Sequence, residues 1–220
     1  MPFAVLALLA FFASSPSQAS VQAYRATIAP LPGPMRARLA AGGFWRRGCP
    51  VTLGQLRLLT VRHWDFDGHV RTGQLVVDGE VAAPLRTVFG RLYALRFPIR
   101  HMRFVDQYGL ARATPADGDV SNSFYCRQAS ASPCTGRATT GTWSNHAYGH
   151  AVDLNPVENP YVGCGATRSR ASAPYIDRSR LRKGMVTPAV VRAFRSVGWG
   201  WGGAWTGRTK DYMHFSTNGH

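Results

Sequence analysis

The stretch that most constrains this chain is SNHAYGHAVDLNPVENPYV, Ser144 to Val162. Two histidines and an aspartate, His146, His150 and Asp153, crowd between a Trp-containing turn and a Pro/Asn-rich loop. For His146 and Asp153 to serve one site, the backbone between them cannot be regular. Seven residues of strand would part them by roughly 23 Å, and seven of helix by roughly 10 Å. No single ion spans either distance, so the chain has to turn, and Gly149 is the natural place. A strand from Gly149 to Asn155 then puts His150, Val152 and Leu154 on one face and Ala151 and Asp153 on the other. On that pattern His150 sides with the core, and small Ala151 leaves space beside Asp153.

Two further residues complete the chemistry-bearing set by position. Of the other histidines, His63 and His101 fall in strand-like runs, His69 in a turn and His220 at the end of the sequence. That leaves His214, in DYMHF, as a third ligand. Two histidines and one aspartate with an open fourth position suit a catalytic zinc. Such an ion lowers the pKa of its water to about 7 and polarises a carbonyl. Asp211 stands three residues before His214. In a regular strand the two would face opposite ways, so Asp211 is expected at the turn entering the strand, after TGRTK. There it is either a base for the water or a surface acid paired with Lys210 or Arg208.

Charge and cysteines narrow the setting. Lys+Arg is 26 against 11 for Asp+Glu, a formal +15. Such a surface attracts anionic polymers: nucleic acid, membrane surfaces or cell-wall polymers. The densest basic stretch is RSRASAPYIDRSRLRK, and no nucleic-acid-binding motif accompanies it. Residues 1–19 read as a signal peptide. An apolar run from Phe3 to Ala13, too short to span a bilayer, precedes a small-x-small site at Ser17–Ala19. Four cysteines, Cys49, Cys126, Cys134 and Cys164, form no CxxC pair and fit disulfides in an oxidising compartment, with three connectivities open.

Along the chain, residues 20–45 read as a linker or N-terminal arm. Leu56–Phe66 and Gly73–Asp78 are strand-like. Apolar residues recur at helical spacing from Val81 to Leu95, with Pro84 in the first turn. IRHMRFVD reads as a strand, followed by a long loop up to Trp143. GHAVDLN is a strand, Pro188–Gly198 a helix closed by glycine, and DYMHFS a last strand. Strands and helices mix without βαβ regularity, so the class is α+β, a small mostly antiparallel sheet flanked by helices.

The motifs SxHxxGxAxD (Ser144, His146, Gly149, Ala151, Asp153) and DxxHF (Asp211, His214, Phe215) together resemble a known family. It is that of the zinc D-alanyl-D-alanine carboxypeptidases and their L-alanyl-D-glutamate endopeptidase relatives, which share the hedgehog/DD-peptidase fold. NPVENPYV, FPIRHM, GWGWGGAW and KDYMHFS are similar to its secreted bacterial branch, and the resemblance runs from about Arg46 to Thr217.

It implies a domain over residues 46–220 that holds one zinc ion on His146, Asp153 and His214. Asp211 would be general base, and Arg127, in SNSFYCRQ, would steady the substrate oxygen. Cys49 and Cys126 fall where relatives carry cysteine, which implies their pairing and leaves Cys134 with Cys164. Ser144, Tyr148, Tyr212 and Trp201 are candidates for lining the cleft, although the tryptophans of GWGWGGAW read first as an aromatic wall under the last strand.

The expected protein is a secreted, monomeric peptidase acting on peptidoglycan stem peptides at the cell wall or outside the cell. Its basic surface would hold anionic wall polymers, and no membrane span would remain after signal cleavage. Two other classes compete. A non-catalytic wall-binding module of the same fold would not need the four His/Asp residues. A secreted basic nucleic-acid-binding protein would leave their spacing without a role, so no nucleic-acid partner is expected.

Overall fold

The computed structural model describes residues 22–109, 115–167 and 169–220; the expected signal peptide, 1–19, lies outside them. The class is α+β. Strand β1 (Ala26–Pro30) leads to helix α1 (Gly33–Ala41), then to the long hairpin of β2 (Leu56–Trp64) and β3 (Val70–Asp78). Helix α2 (Gly79–Ala94) and a single turn, α3 (Phe104–Gln107), follow. The second half is built from short pieces: β4 (Gln128–Ser130), β5 (Thr139–Trp143), β6 (Ala151–Asp153), β7 (Tyr161–Gly163) and β8 (Ala166–Thr167). Helix α4 (Pro188–Arg195) then precedes β9 (Gly200–Trp201), β10 (Thr209–Asp211) and β11 (His214–Ser216).

The first sheet, β1-β2-β3, is antiparallel. Period-two alternation gives it two apolar faces. Leu59, Val61, Leu75 and Val77 face α2 and α4, where Val152, Leu154 and Phe215 join them. Leu56, Leu58 and Val76 face Leu31, Leu39, Phe104 and Phe124. Phe194 of α4 stacks on Phe215 with centroids 3.8 Å apart, which ties α4 to the strand carrying His214.

Several expectations change here. Within the stretch 20–45, the described residues 22–45 are no loose arm: β1 pairs with β2 over five residues, and Leu31 and Leu39 are fully buried. Helix α2 starts at Gly79, because the Asp78 carboxylate accepts from Glu80 N at 2.9 Å and caps it. Pro84 therefore lies past the first turn, where its missing N–H spares only the carbonyl of exposed Glu80. IRHMRFVD is not a strand. Pro98, just before it, bridges Trp64, and His101 within it bridges Val120; the chain then coils into α3, where Arg103 grips Asp106 one turn on with contacts of 2.8 and 2.7 Å. The expected long loop before Trp143 contains the β4–β5 hairpin.

Both disulfides lie around this half. Cys49 bonds Cys126 across 77 residues, and Cys134 bonds Cys164 across 30. The first ties the segment after α1 to the residue before Arg127. The doubly substituted Cys49→Ser/Cys126→Ser protein should lose about 4 kcal/mol of stability, the closure entropy of so long a loop. Urea unfolding beside the oxidised parent measures it; an unchanged midpoint would show that the bridge constrains nothing.

Candidate active site

Three short elements deliver the predicted ligands. Ser144 caps a 3-10 turn, Asn145–Tyr148, by accepting from His146 N at 3.3 Å. Gly149 ends that turn at φ +70, and a Cβ there would lie 2.6 Å from Asp78 N, so both conformation and space demand glycine. The chain reverses there, as the spacing required, and β6 carries Asp153 back beside His146. Strand β11 pairs antiparallel with β6, setting His214 directly opposite Asp153. The last strand is broken, however. Tyr212 and Met213 bend out, and Asp211 ends β10, which belongs to a different sheet beside β7. Asp211 thus sits at the entrance to the His214 strand without being part of it.

The three side chains converge tightly. His146 Nε2 lies 3.2 Å from Asp153 Oδ1 and 3.2 Å from His214 Nδ1, and His214 Nδ1 lies 3.1 Å from Asp153 Oδ1. All three residues are buried. Each imidazole gives its other nitrogen to a backbone carbonyl: His146 Nδ1 donates to Ser123 O at 2.5 Å, and His214 Nε2 to His220 O at 3.2 Å. Those N–H donations fix the tautomers, so in the neutral rings the lone pairs of His146 Nε2 and His214 Nδ1 face each other and the carboxylate. Burial alone would raise the Asp153 carboxyl, but in the metal-free site the two imidazoles, where they carry a proton toward it, hold it far below the usual carboxylate range.

Such a triangle suits a small dication. Three ligands about 2.0–2.1 Å from one tetrahedral centre stand about 3.3 Å from each other. Two nitrogens and one carboxylate oxygen are donors that zinc accepts. Two looser groups of acids and histidine also occur among the described residues, Asp65/Asp67/His69 and Asp78/Glu80/His150. Neither is wholly buried, as the first group is.

Asp211 and Arg127 complete the site. Asp211 Oδ1 is buried and has no hydrogen-bond partner. Burial, then the charge of Asp153, pushes its carboxyl up to about 7, against the opposing pull of His214 and Arg127. Arg127 leaves the chain just after Cys126 and lines the same cleft, its guanidinium donating to Gln128 O at 3.1 Å. The cleft holds about 840 Å³, and Ser144 and Tyr148 are among the residues that line it.

Other residues fall differently. His150 does not join the core: its side chain is 27% exposed, borders the cleft and lies 3.9 Å from Asp78 Oδ1. The strand begins at Ala151, two residues later than expected, so His150 belongs to the turn and the turn sets its direction. Tyr212 and Trp201 line a different groove. Trp201 Nε1 donates to Tyr212 O at 2.9 Å, and its ring packs on Phe215. The tryptophans that line the cleft are Trp143 and Trp205 instead, with Trp205 beside His214 and stacked on His220.

Ser123, Asn218 and His220 were not singled out in the sequence for these roles. Asn218 Oδ1 accepts from Asn145 Nδ2 at 2.8 Å and His220 N at 3.0 Å, and so holds the His220 carbonyl against His214. Their contribution is through backbone acceptors or their anchoring, for which the sequence carries no residue-type signal.

No curated protein and no solved structure matches the chain. A family model described as D-alanyl-D-alanine carboxypeptidase does match, over residues 137–217. The matched span contains His146, Asp153, Asp211 and His214 but not Arg127, and it supports a peptidase of that kind.

Proposed function

We propose that the protein is a secreted zinc metallopeptidase that hydrolyses peptide bonds in peptidoglycan stem peptides, on a fold of the hedgehog/DD-peptidase kind. One observation carries this: two oriented imidazole lone pairs and a buried carboxylate oxygen meet within 3.2 Å, beside a carboxylate with an unpartnered buried oxygen. His146, Asp153 and His214 would hold the metal. When bound there, zinc supplies Lewis acidity and makes a water nucleophilic near neutral pH.

The chain's own groups do the rest. Asp211 takes a proton from the attacking water as its oxygen bonds to the scissile carbonyl carbon. It returns that proton to the departing amine as the C–N bond breaks. Arg127 offers a guanidinium to the negative charge that grows on the carbonyl oxygen. The His146 and His214 rings stay fixed throughout by Ser123 O and His220 O.

Secretion is supported by the two disulfides. Among the described residues no helix is long and apolar enough to cross a membrane.

Mass spectrometry of defined muropeptides, with and without a chelator, tests the function. Chelator-sensitive products are expected, and their masses name the bond: loss of one alanine means a carboxypeptidase, a severed stem an endopeptidase. Bound zinc with no product from any stem would overturn the peptidase in favour of a binding module.

A further inference from the structure

The densest basic run of the sequence plays no part in the chemistry above. Residues 168–195 carry seven arginines and one lysine against a single acid, Asp177. Among the described residues of this span, three arginines converge on one groove of about 560 Å³, on the other side of Tyr212 from the cleft. Arg178 forms one wall. Its guanidinium lies 4.6 Å over the Tyr212 ring and donates to Glu158 O at 2.9 Å, and to Asn159 Oδ1 and Val186 O at 3.2 Å. Every one of those acceptors is neutral, so the charge is positioned without being cancelled.

Arg192 and Arg195, three apart on α4, form the rim and are exposed. Among the described residues no carboxylate lies within ion-pair distance of any of the three. Between them the surface is apolar: Leu181, half exposed, with Val186, Val191 and Trp201.

One fixed guanidinium, that of Arg178, and two exposed ones, those of Arg192 and Arg195, around an apolar floor select for a particular chemistry. Carboxylates match the planar fork of arginine. The floor favours a chain that also presents methyl groups or other small apolar side chains. A polyphosphate or nucleic acid backbone would use the charges and leave the floor idle. We propose that this groove is a second binding site, for an acidic peptide with small apolar side chains. It would hold the enzyme to uncut stem peptides of its polymer while the cleft works nearby. The identity of that peptide as a wall stem rests on the function proposed above; the site and its preference for acidic peptide do not.

Retention on insoluble peptidoglycan, measured by co-sedimentation of the chelator-stripped protein, separates the two questions. Arg192→Glu/Arg195→Glu should reduce retention by about tenfold. Its kcat/KM on a short soluble stem peptide should stay within about twofold of the parent, measured on metal-loaded protein. Arg38→Glu/Arg47→Glu, with the same change in net charge on exposed residues elsewhere, should retain markedly better. A soluble acidic alanine-containing peptide should displace the parent, and polyphosphate of equal charge should do so less well.

Equal losses in the two double variants would overturn the site and leave only net charge. Displacement by polyphosphate alone would overturn the peptide assignment. If the charge reversal lowers the melting temperature, Arg192→Gln/Arg195→Gln, which only removes the charges, decides the matter. Failure of the parent to cut any stem peptide would sink the proposed function and leave the retention result standing.

Discussion

The Asp211→Asn protein is expected to bind one zinc ion as the parent does and to hydrolyse stem peptides about 10²–10⁴-fold more slowly, the contribution of one positioned base. Asparagine keeps the shape and the burial but cannot take the proton. Metal content by atomic emission and kcat/KM on a defined peptide are the two measurements. Full activity with zinc retained would eliminate Asp211 as the base.

The same substitution has a second signature in the metal-free protein. The folded Asp211 carboxyl is raised to about 7 by burial and by Asp153, whereas an unfolded one titrates near its ordinary value of about 4. A raised pKa favours the folded state fully below the unfolded value, and the benefit is lost as pH rises through the folded one. Metal-free parent should therefore lose stability between about pH 4 and 7. Asp211→Asn should show a smaller loss, that of Glu158, which burial also raises to about 7, and should be the more stable protein at pH 8. A bound dication beside Asp153 and His214 opposes the rise, so the acid limb of the loaded enzyme's pH profile should fall below 7.

His146→Ala and His214→Ala should lose the metal. Disturbing a residue that merely orients a ligand costs about 10–100-fold in affinity, and deleting one of three ligands should exceed that. His150→Ala is the control. It lies four residues from His146 in sequence, yet its ring sits beside Asp78 and outside the triangle. It should bind zinc as the parent does. Titration with a competing chelator reads all three, and zinc affinity unchanged in His214→Ala would remove this triangle as the metal site.

Elements with strong local periodicity were legible in the sequence. Helix α2 announces itself through Val81, Leu85, Val88 and Leu92, all buried, and β2 and β3 through two strand-like runs parted by Asp/Gly turn residues. The site was legible because its spacing is incompatible with regular structure unless the chain turns at Gly149. What escaped depended on distant partners. Nothing local in Ala26–Pro30 says that β2 will pair with it. The split of the last strand into two sheets arises because Asp211 pairs with Tyr161 and His214 with Asp153.

The pairing of His214 with Asp153 also makes assembly of the site a report on folding. In β11 adjacent residues point oppositely: His214 toward the triangle, Phe215 into the core against Phe194. A slip of one residue would exchange them, placing an imidazole in the core and a phenyl ring among the ligands. A refolded or oxidatively scrambled preparation with that error would retain strand content but lack a metal-binding pocket. If the triangle holds zinc as proposed, zinc stoichiometry counts correctly registered molecules without the use of a substrate.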